Sequence, residues 1–312
     1  MKHKLSQLKE TISHVVIGKE KALELVLVGL LAEGHILIDD VPGMGKTLLA
    51  KSLAASLACE FKRIQFTPDL TPTDVTGFFF YDHTKNFTFR PGPVLTNVLL
   101  ADEINRTVPR TQSALLEAME ERQITVDGQT MALPKPFLVL ATQNPIDQEG
   151  TFPLPEAQLD RFLLKIDMGY PSFAEEAQIL ELHQTGDPLS QLQSSIAGAE
   201  DVLNWQHLCH QVTVRPAVSS YLITLIRSTR EHPAVALGAS PRATVALYRA
   251  IQALAFLRGR DFATPDDVKY LVHPVLSHRL ILRREERLRG LLPGAILEEI
   301  LQTVSTPVET VL

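Results

Sequence analysis

The sequence predicts an α/β fold: a parallel sheet flanked by helices over residues 1–188, a linker at 189–199, and a smaller all-α domain over 200–312. Three observations carry that expectation. Apolar runs of strand length alternate with helix-like segments as far as residue 170, and strands separated by helices pair in parallel. Beyond that point the apolar spacing is helical almost throughout. The first strand also runs straight into a glycine-rich turn and then a stretch of helix formers, the order that a phosphate-binding loop requires.

Taken in order, residues 19–32 space their apolar side chains as a helix does, and Gly34 ends that helix. His35-Ile36-Leu37-Ile38-Asp39 reads as a short buried strand, and residues 46–57 as the helix after the turn. Residues 63–66, 98–101, 137–142 and 162–166 are further strands. Two hairpins interrupt the alternation. One pairs 77–81 with 87–90 around a polar turn at 82–86; the other pairs 123–126 with 129–132 around Asp127-Gly128, a favoured two-residue turn. Residues 184–199 are rich in Gln, Ser, Gly and Pro and read as the link between domains. In the second domain, Ser240-Pro241 and Thr264-Pro265-Asp266-Asp267 are helix starts, with a hydroxyl at the cap and proline at the first helical position.

At 312 residues, 45% hydrophobic and 21% charged, the chain is long enough to bury a core without disulfides and too apolar to be mainly disordered. Thirty Lys+Arg against 36 Asp+Glu leave a net charge of −6, which argues against a nucleic-acid partner. The longest strongly apolar run, residues 25–32, falls short of the ~20 residues a membrane span needs. The polar N-terminus lacks a signal-peptide core, and Cys59 and Cys209 read as core residues in a reducing compartment, so a cytoplasmic protein is expected. His207-Leu208-Cys209-His210 has no second pair of ligands at metal spacing, and no structural metal is expected. The run from Arg279 to Arg289 reads as a solvated or subunit-facing surface.

The strongest chemical signal is Asp40-Val41-Pro42-Gly43-Met44-Gly45-Lys46-Thr47. Gly43 and Gly45 let the backbone curl so that several N–H groups point at one anion. Lys46 can reach the β- and γ-phosphates, and Thr47 can ligate magnesium. Asp40 stands where the phosphate-loop pattern usually begins with glycine. A second signal, Val98-Leu99-Leu100-Ala101-Asp102-Glu103, is an apolar strand ending in two acids, Asp102 suited to the metal ion and Glu103 to the attacking water. A kinase-like transferase would not need Glu103.

With these motifs in place, the chain resembles the MoxR branch of the AAA+ ATPases over nearly its whole length. Beyond the phosphate loop, Thr67-Pro68-Asp69-Leu70, Phe89-Arg90-Pro91-Gly92-Pro93, Asp102-Glu103-Ile104-Asn105-Arg106, Gln112-Ser113-Ala114-Leu115-Leu116-Glu117-Ala118-Met119, Ala141-Thr142-Gln143-Asn144-Pro145 and the segment from Pro153 to Phe162 all look like that family. The resemblance implies a P-loop AAA+ nucleotide-binding domain with a helical lid. It implies that Pro42, Gly43, Met44, Gly45, Lys46, Thr47 and Leu48 bind ATP, with Thr47 and Asp102 on Mg2+. Val16-Ile17-Gly18 would line the adenine pocket, although apolar residues there serve equally as core. Asn144 matches the first sensor, which holds the attacking water near the γ-phosphate; its alternative is a strand-end turn. Arg161 matches an arginine finger entering a neighbouring subunit's site; its alternative is an intramolecular pair with Asp160 or a helix acid. Arg242 matches a second sensor reaching back to its own chain's phosphate. Arg106, Arg110 and Arg122 could supplement the finger or form interface ion pairs.

The two hairpins correspond on this resemblance to the helix-two insert and the pre-sensor-one hairpin that face a central pore. The row Phe78-Phe79-Phe80-Tyr81 could grip a client, with at least half of it expected in the core because alternate residues must pack. The function so implied is Mg-dependent ATP hydrolysis by a homo-oligomeric ring, a hexamer. Its work would be chaperone-like remodelling, maturation or cofactor insertion of a client protein, with an adaptor protein as a further partner. Two other classes stay open: a nucleotide-gated scaffold with little turnover, and a nucleic-acid translocase of the related pore-hairpin clade.

Overall fold

The computed structural model describes residues 2–41, 43–81, 86–144, 150–184, 186–192 and 195–307; Pro42, Pro145 and most of the turn expected at 82–86 lie outside them. The chain opens with helices α1 (Lys2–Val15) and α2 (Glu20–Leu31). Ten of the twelve α2 residues are buried, because this helix is apolar on every side and lies between the sheet and the lid. Strand β1 (Ile36–Asp39) follows after Gly34, where a Cβ would lie 2.3 Å from the Leu163 side chain.

After β1 come α3 (Lys46–Ser56), β2 (Phe61–Gln65), α4 (Pro72–Thr76), and the hairpin strands β3 (Gly77–Tyr81) and β4 (Phe87–Pro91). Then follow β5 (Val98–Asp102), α5 (Pro109–Glu121), the second hairpin β6 (Gln123–Val126) and β7 (Gln129–Ala132), and β8 (Leu138–Gln143). A short α6 (Glu156–Leu159), β9 (Leu164–Ile166) and α7 (Phe173–Gln184) complete this part. Five strands form one all-parallel sheet in the order β2-β5-β8-β1-β9, with Gln65 beside Asp102, Ala101 beside Ala141, and Asp39 beside Gln143. Alternate residues feed two cores. Ile36, Ile38, Leu138 and Leu140 face one, and Leu37, Leu99, Val139 and Ala141 face the other with α5 and β6.

The rest of the chain forms α8 (Ala199–Cys209), α9 (Pro216–Glu231), α10 (Pro241–Leu257), α11 (Pro265–Leu276), α12 (Arg284–Leu288) and α13 (Pro293–Thr303), the region in which the helical lid is expected. It is mostly helical, as expected, with an antiparallel pairing of β10 (Val235–Leu237) with β11 (Ile281–Leu282) and an isolated parallel bridge between Thr213 and Phe262. Ser240 caps α10 by accepting a hydrogen bond from the Ala243 N–H, and Thr264 with Asp267 forms a capping box on α11. The first core continues from the sheet through α1 and α2 into α8, α10 and α11. Gln206 of α8 donates to the Leu30 carbonyl, and Arg258 at the end of α10 pairs with the buried Glu24. Within the expected linker, Ile196 N–H donates to the Ser56 carbonyl and Ala197 is buried, which fixes that stretch to the end of α3.

Two surface expectations change. Only Phe79 of the aromatic row packs on the core, against Phe89 at 5.1 Å. The hairpin projects past the core, so Phe78 and Phe80 meet each other at 6.3 Å and Tyr81, although it shares the Phe79 side, stands exposed against Phe87 at 4.9 Å. Arg279, read as surface, is 8% exposed: its guanidinium donates to Asp160 Oδ1 and to the carbonyls of Asp160, Phe162, Leu163 and Val275. It binds the lid to the turn before β9. The second hairpin is as read, with Asp127 and Gly128 both at positive φ, 49° and 78°, as its two-residue turn demands.

Two buried histidines make the fold acid-sensitive. His35 Nδ1 accepts from Val139 N–H, so its Nε2–H donates to the Met119 carbonyl; burial and the nearby Arg122 push its pKa down to about 3. His278, beside the Phe162 carbonyl, is held well below the ordinary value by burial and Arg279. Both are neutral when folded and protonate more readily when unfolded, so their stabilisation is complete above the unfolded pKa near 6.5 and declines as pH falls below it. Each should remove about 1.4 kcal/mol per pH unit there. Urea denaturation midpoints at pH 7.5 and 5.5 should differ accordingly, and His35→Gln should reduce the dependence; a flat profile would contradict it.

Candidate active site

Parallel strands bring the ends of β1, β2, β5 and β8 to one edge of the sheet, where a cleft of about 470 Å³ opens. Its floor is the turn between β1 and α3. Gly43 and Gly45 hold φ of 88° and 87°, a left-handed backbone that side chains resist, and space around both is open, so conformation rather than crowding requires glycine. Gly45 is the N-cap of α3 and has no side-chain cap, which leaves the first-turn N–H groups facing the cleft. That is the arrangement that binds a phosphate. Lys46 Nζ donates to the Asp40 carbonyl at 2.9 Å and the Val41 carbonyl at 3.2 Å, and an ammonium has a third N–H for a ligand oxygen. Thr47 and Leu48 line the same wall.

Across the cleft stand the two acids at the end of β5. Asp102 is 7% exposed and fully engaged: Oδ1 accepts from the Thr142 hydroxyl at 3.0 Å and Oδ2 from Arg63 Nε at 2.7 Å. Thr142 in turn accepts the Glu103 N–H at 2.9 Å. Glu103 sits at φ 57°, a strained value for a side-chain-bearing residue that the surroundings must enforce, costing about 1–3 kcal/mol. Its carboxylate receives Gln65 Nε2 at 2.7 Å and Arg106 Nε at 3.1 Å. Asn144 follows β8 directly and lines the cleft with Thr142 and Gln143. The structure thus brings Gly43, Gly45, Lys46, Thr47, Leu48, Asp102, Glu103 and Asn144 to one place.

Beside the cleft, and sharing Gly43, Gly45, Leu48, His183 and Pro188 with it, lies a more apolar slot of about 390 Å³. Val16 and Ile17 form one wall with Met44, and Tyr170, Pro171, Ile179 and Leu182 form the other. Gly18, expected beside them, is not among the residues lining the slot; it sits at φ 70°, where a Cβ would strike the Glu175 carboxyl group at 2.6 Å.

The remaining expected site residues lie elsewhere. Arg161 Nε pairs with Glu120 Oε2 at 3.0 Å, and Arg242 donates to Glu120 Oε1 at 2.6 Å. Both line a separate pocket with Arg249 of α10 and with Gly34 and Leu163, which lie just before the starts of β1 and β9 rather than at their ends. Arg242, expected to reach its own chain's phosphate, is held on Glu120 and is not among the residues that line the cleft. The Ser240 hydroxyl donates to Asp160, and Arg279 holds Asp160 in turn, so the first turn of α10 is tied beside Arg161. Arg106 pairs with its own chain's Glu103, and Arg122 donates to the carbonyls of Phe137 and Glu33. Arg110 is exposed on α5. His210 meets Glu33, His207 meets Gln211, and burial pushes the Cys209 thiol up to about 12.

Sequence reading missed Arg63, Gln65 and Thr142. Alternation along β2 carries a signal, since Arg63 and Gln65 share the side opposite buried Ile64. Glu120 gave none, because its two partners come from the turn before β9 and from α10.

Fold and site together define an ATPase of the AAA class: residues 35–164 match the ATPase family associated with various cellular activities (AAA), and residues 227–300 match the AAA lid domain. The chain is 50% identical to YeaC of Bacillus subtilis over 98% of this chain and 95% of that one. It is 41% identical to Chaperone MoxR1 of Mycobacterium tuberculosis over 98% of this chain and 83% of that one. A crystal structure of a Cytophaga hutchinsonii protein superposes with a TM-score of 0.92 at 38% identity, covering 98% and 96% of the two chains. The chain belongs to the MoxR family of AAA ATPases.

Two substitutions test the cleft. Glu103→Gln should retain ATP binding while phosphate release falls by on the order of a hundredfold or more. Thr142→Val removes the donor to Asp102 and the acceptor for the Glu103 N–H, and should lower stability by about 1–3 kcal/mol together with turnover. Unchanged phosphate release in either variant would contradict these assignments.

Proposed function

We propose that this protein hydrolyses Mg-ATP in a ring of identical subunits, a hexamer, and that a neighbouring copy completes each site. The observation that carries the reading is the separation of the cleft from Arg161 and Arg242. Phosphate binds at the C-terminal edge of the sheet, whereas both arginines line a pocket by the starts of β1 and β9, at the other end of a four-residue strand about 13 Å long. Among the described residues lining the cleft, the Lys and Arg side chains of the same chain are Lys46 and Arg63. A second copy would present Arg161 and Arg242 to the γ-phosphate, where guanidinium groups stabilise developing charge.

The donor set fits magnesium. The Thr47 hydroxyl and Asp102 carboxylate are hard oxygen donors on one cleft, and Asp102 already accommodates a cation in Arg63. Magnesium would neutralise the β- and γ-phosphate oxygens. Lys46 and the N–H groups of the phosphate loop hold the triphosphate, Glu103 takes the proton of the attacking water, and Asn144 orients that water. The apolar slot around Val16, Ile17, Met44 and Leu48 receives adenine.

The work done with this energy is chaperone-like remodelling, maturation or cofactor insertion of a client protein, with an adaptor as a further partner. The name of the Mycobacterium tuberculosis relative and the exposed aromatics Phe78, Phe80, Tyr81 and Phe87 on the first hairpin support it. No helix among the described residues is long and apolar enough to cross a membrane.

Mixing variants tests the shared site. Glu103→Gln alone and Arg161→Ala alone should each be nearly inactive. An equimolar mixture should recover phosphate release, because some sites then combine an intact Glu103 with an intact Arg161 from the neighbour. Absence of recovery, in mixtures that demonstrably co-assemble, would sink the shared-site reading.

A further inference from the structure

We infer that Asp40 and Lys19 are positioning residues that fix the base slot against the phosphate loop. This deepens the nucleotide-site reading and rests on it. Asp40 occupies the position where the loop pattern usually has glycine, and it is 9% exposed. A carboxylate in that setting costs free energy unless its oxygens are satisfied. Oδ1 accepts the Val41 N–H of the loop at 2.7 Å. Oδ2 accepts two successive backbone groups from 128 and 129 residues away, Met168 N–H at 2.8 Å and Gly169 N–H at 3.1 Å. Gly169, at φ 62°, supplies the left-handed turn at this point.

The carbonyls of the same two residues go to a single cation. Lys19, 6% exposed, donates from Nζ to the Met168 oxygen at 3.2 Å and to the Gly169 oxygen at 2.5 Å. Both N–H groups and both carbonyls of one dipeptide are thus held by two side chains of opposite charge, one from the phosphate loop and one from the turn after α1. Lys19 lines the apolar slot, as do the residues on either side of this clamp: Val16 and Ile17 precede Lys19, and Tyr170 and Pro171 follow Gly169. Asp40 binds one wall to the loop, and Lys19 binds the two walls to each other.

A nucleoside triphosphate must satisfy the slot and the loop at once, and preorganising their separation removes an ordering cost from binding. A ligand with phosphates and no base uses only the loop. The clamp should therefore act on nucleotides and leave inorganic tripolyphosphate indifferent, a distinction that a merely structural role does not make.

The test measures Kd by calorimetry on the full chain for Mg-ATP and for Mg-tripolyphosphate, in the wild type, Lys19→Met, Lys19→Arg and Asp40→Gly. Lys19→Met should raise the Kd for ATP at least about tenfold, the worth of one charged hydrogen bond, and change that for tripolyphosphate less than about twofold. Lys19→Arg, which keeps two donors for the two carbonyls, should recover much of the loss. Asp40→Gly should weaken ATP more than tripolyphosphate, with some loss on both because it also releases Val41. Equal weakening of both ligands by Lys19→Met, or no change in either, would overturn the inference. Wild-type protein that binds tripolyphosphate but gains nothing from the base would overturn it too, and a wild type binding neither ligand would remove the nucleotide-site reading itself. Should Lys19→Met fail to fold, the ATP-to-tripolyphosphate ratio for Asp40→Gly and Lys19→Arg decides the matter.

Discussion

Parallel pairing in the order β2-β5-β8-β1-β9 sends the C-terminal ends of all five strands to one edge, and the chemistry of the molecule depends on that direction. Because β1 ends there, the glycine turn and the exposed start of α3 face the same space as Asp102 and Glu103 at the end of β5 and Asn144 after β8. The acids are then fixed by neighbours from two other strands. Thr142 of β8 joins the Glu103 N–H to the Asp102 carboxylate, while Arg63 and Gln65 of β2 hold the outer oxygens. No segment acts alone, and Glu103 keeps its left-handed backbone because this network over-determines it.

The opposite edge has its own organising contact. Arg279, nearly enclosed, gathers three carbonyls from residues 160–163 together with the Asp160 carboxylate and so joins the lid to the nucleotide-binding domain at the turn before β9. Glu120 of α5 receives Arg161 from one side of that corner and Arg242 from the other. The lid is consequently fastened at a distance from the cleft, and a further continuous core through α1, α2 and α10 reinforces it. The proposed ring would turn this arrangement outward, toward the cleft of another copy.

Legibility in the sequence followed how local the physics is. The glycine turn after β1, the Asp127-Gly128 hairpin and the capped starts of α10 and α11 depend on a few adjacent residues, and each lies where those residues say. The aromatic row misled because alternation says which residues share a side, whereas burial depends on whether any core lies beneath that side. Past Phe79 the hairpin extends beyond its support. Arg279 misled for the converse reason: a charged side chain looks exposed until the carbonyls that satisfy it arrive from residues 160–163.

By itself, then, the sequence determined the class of fold, the family and the identity of the glycine-turn and acidic residues that line the cleft, since these are written in contiguous motifs whose backbone conformation is set within a few residues. Only the tertiary structure decided where the partners of those motifs come from. It brought Arg63 and Thr142 to Asp102, set Arg161 and Arg242 on a shared Glu120 away from their own chain's cleft, and closed Asp40 and Lys19 on the Met168-Gly169 backbone. The reason is that the energy of a charged hydrogen bond depends on burial and on distances of a few ångströms, and across 40 to 150 residues of chain those are set by packing rather than by spacing.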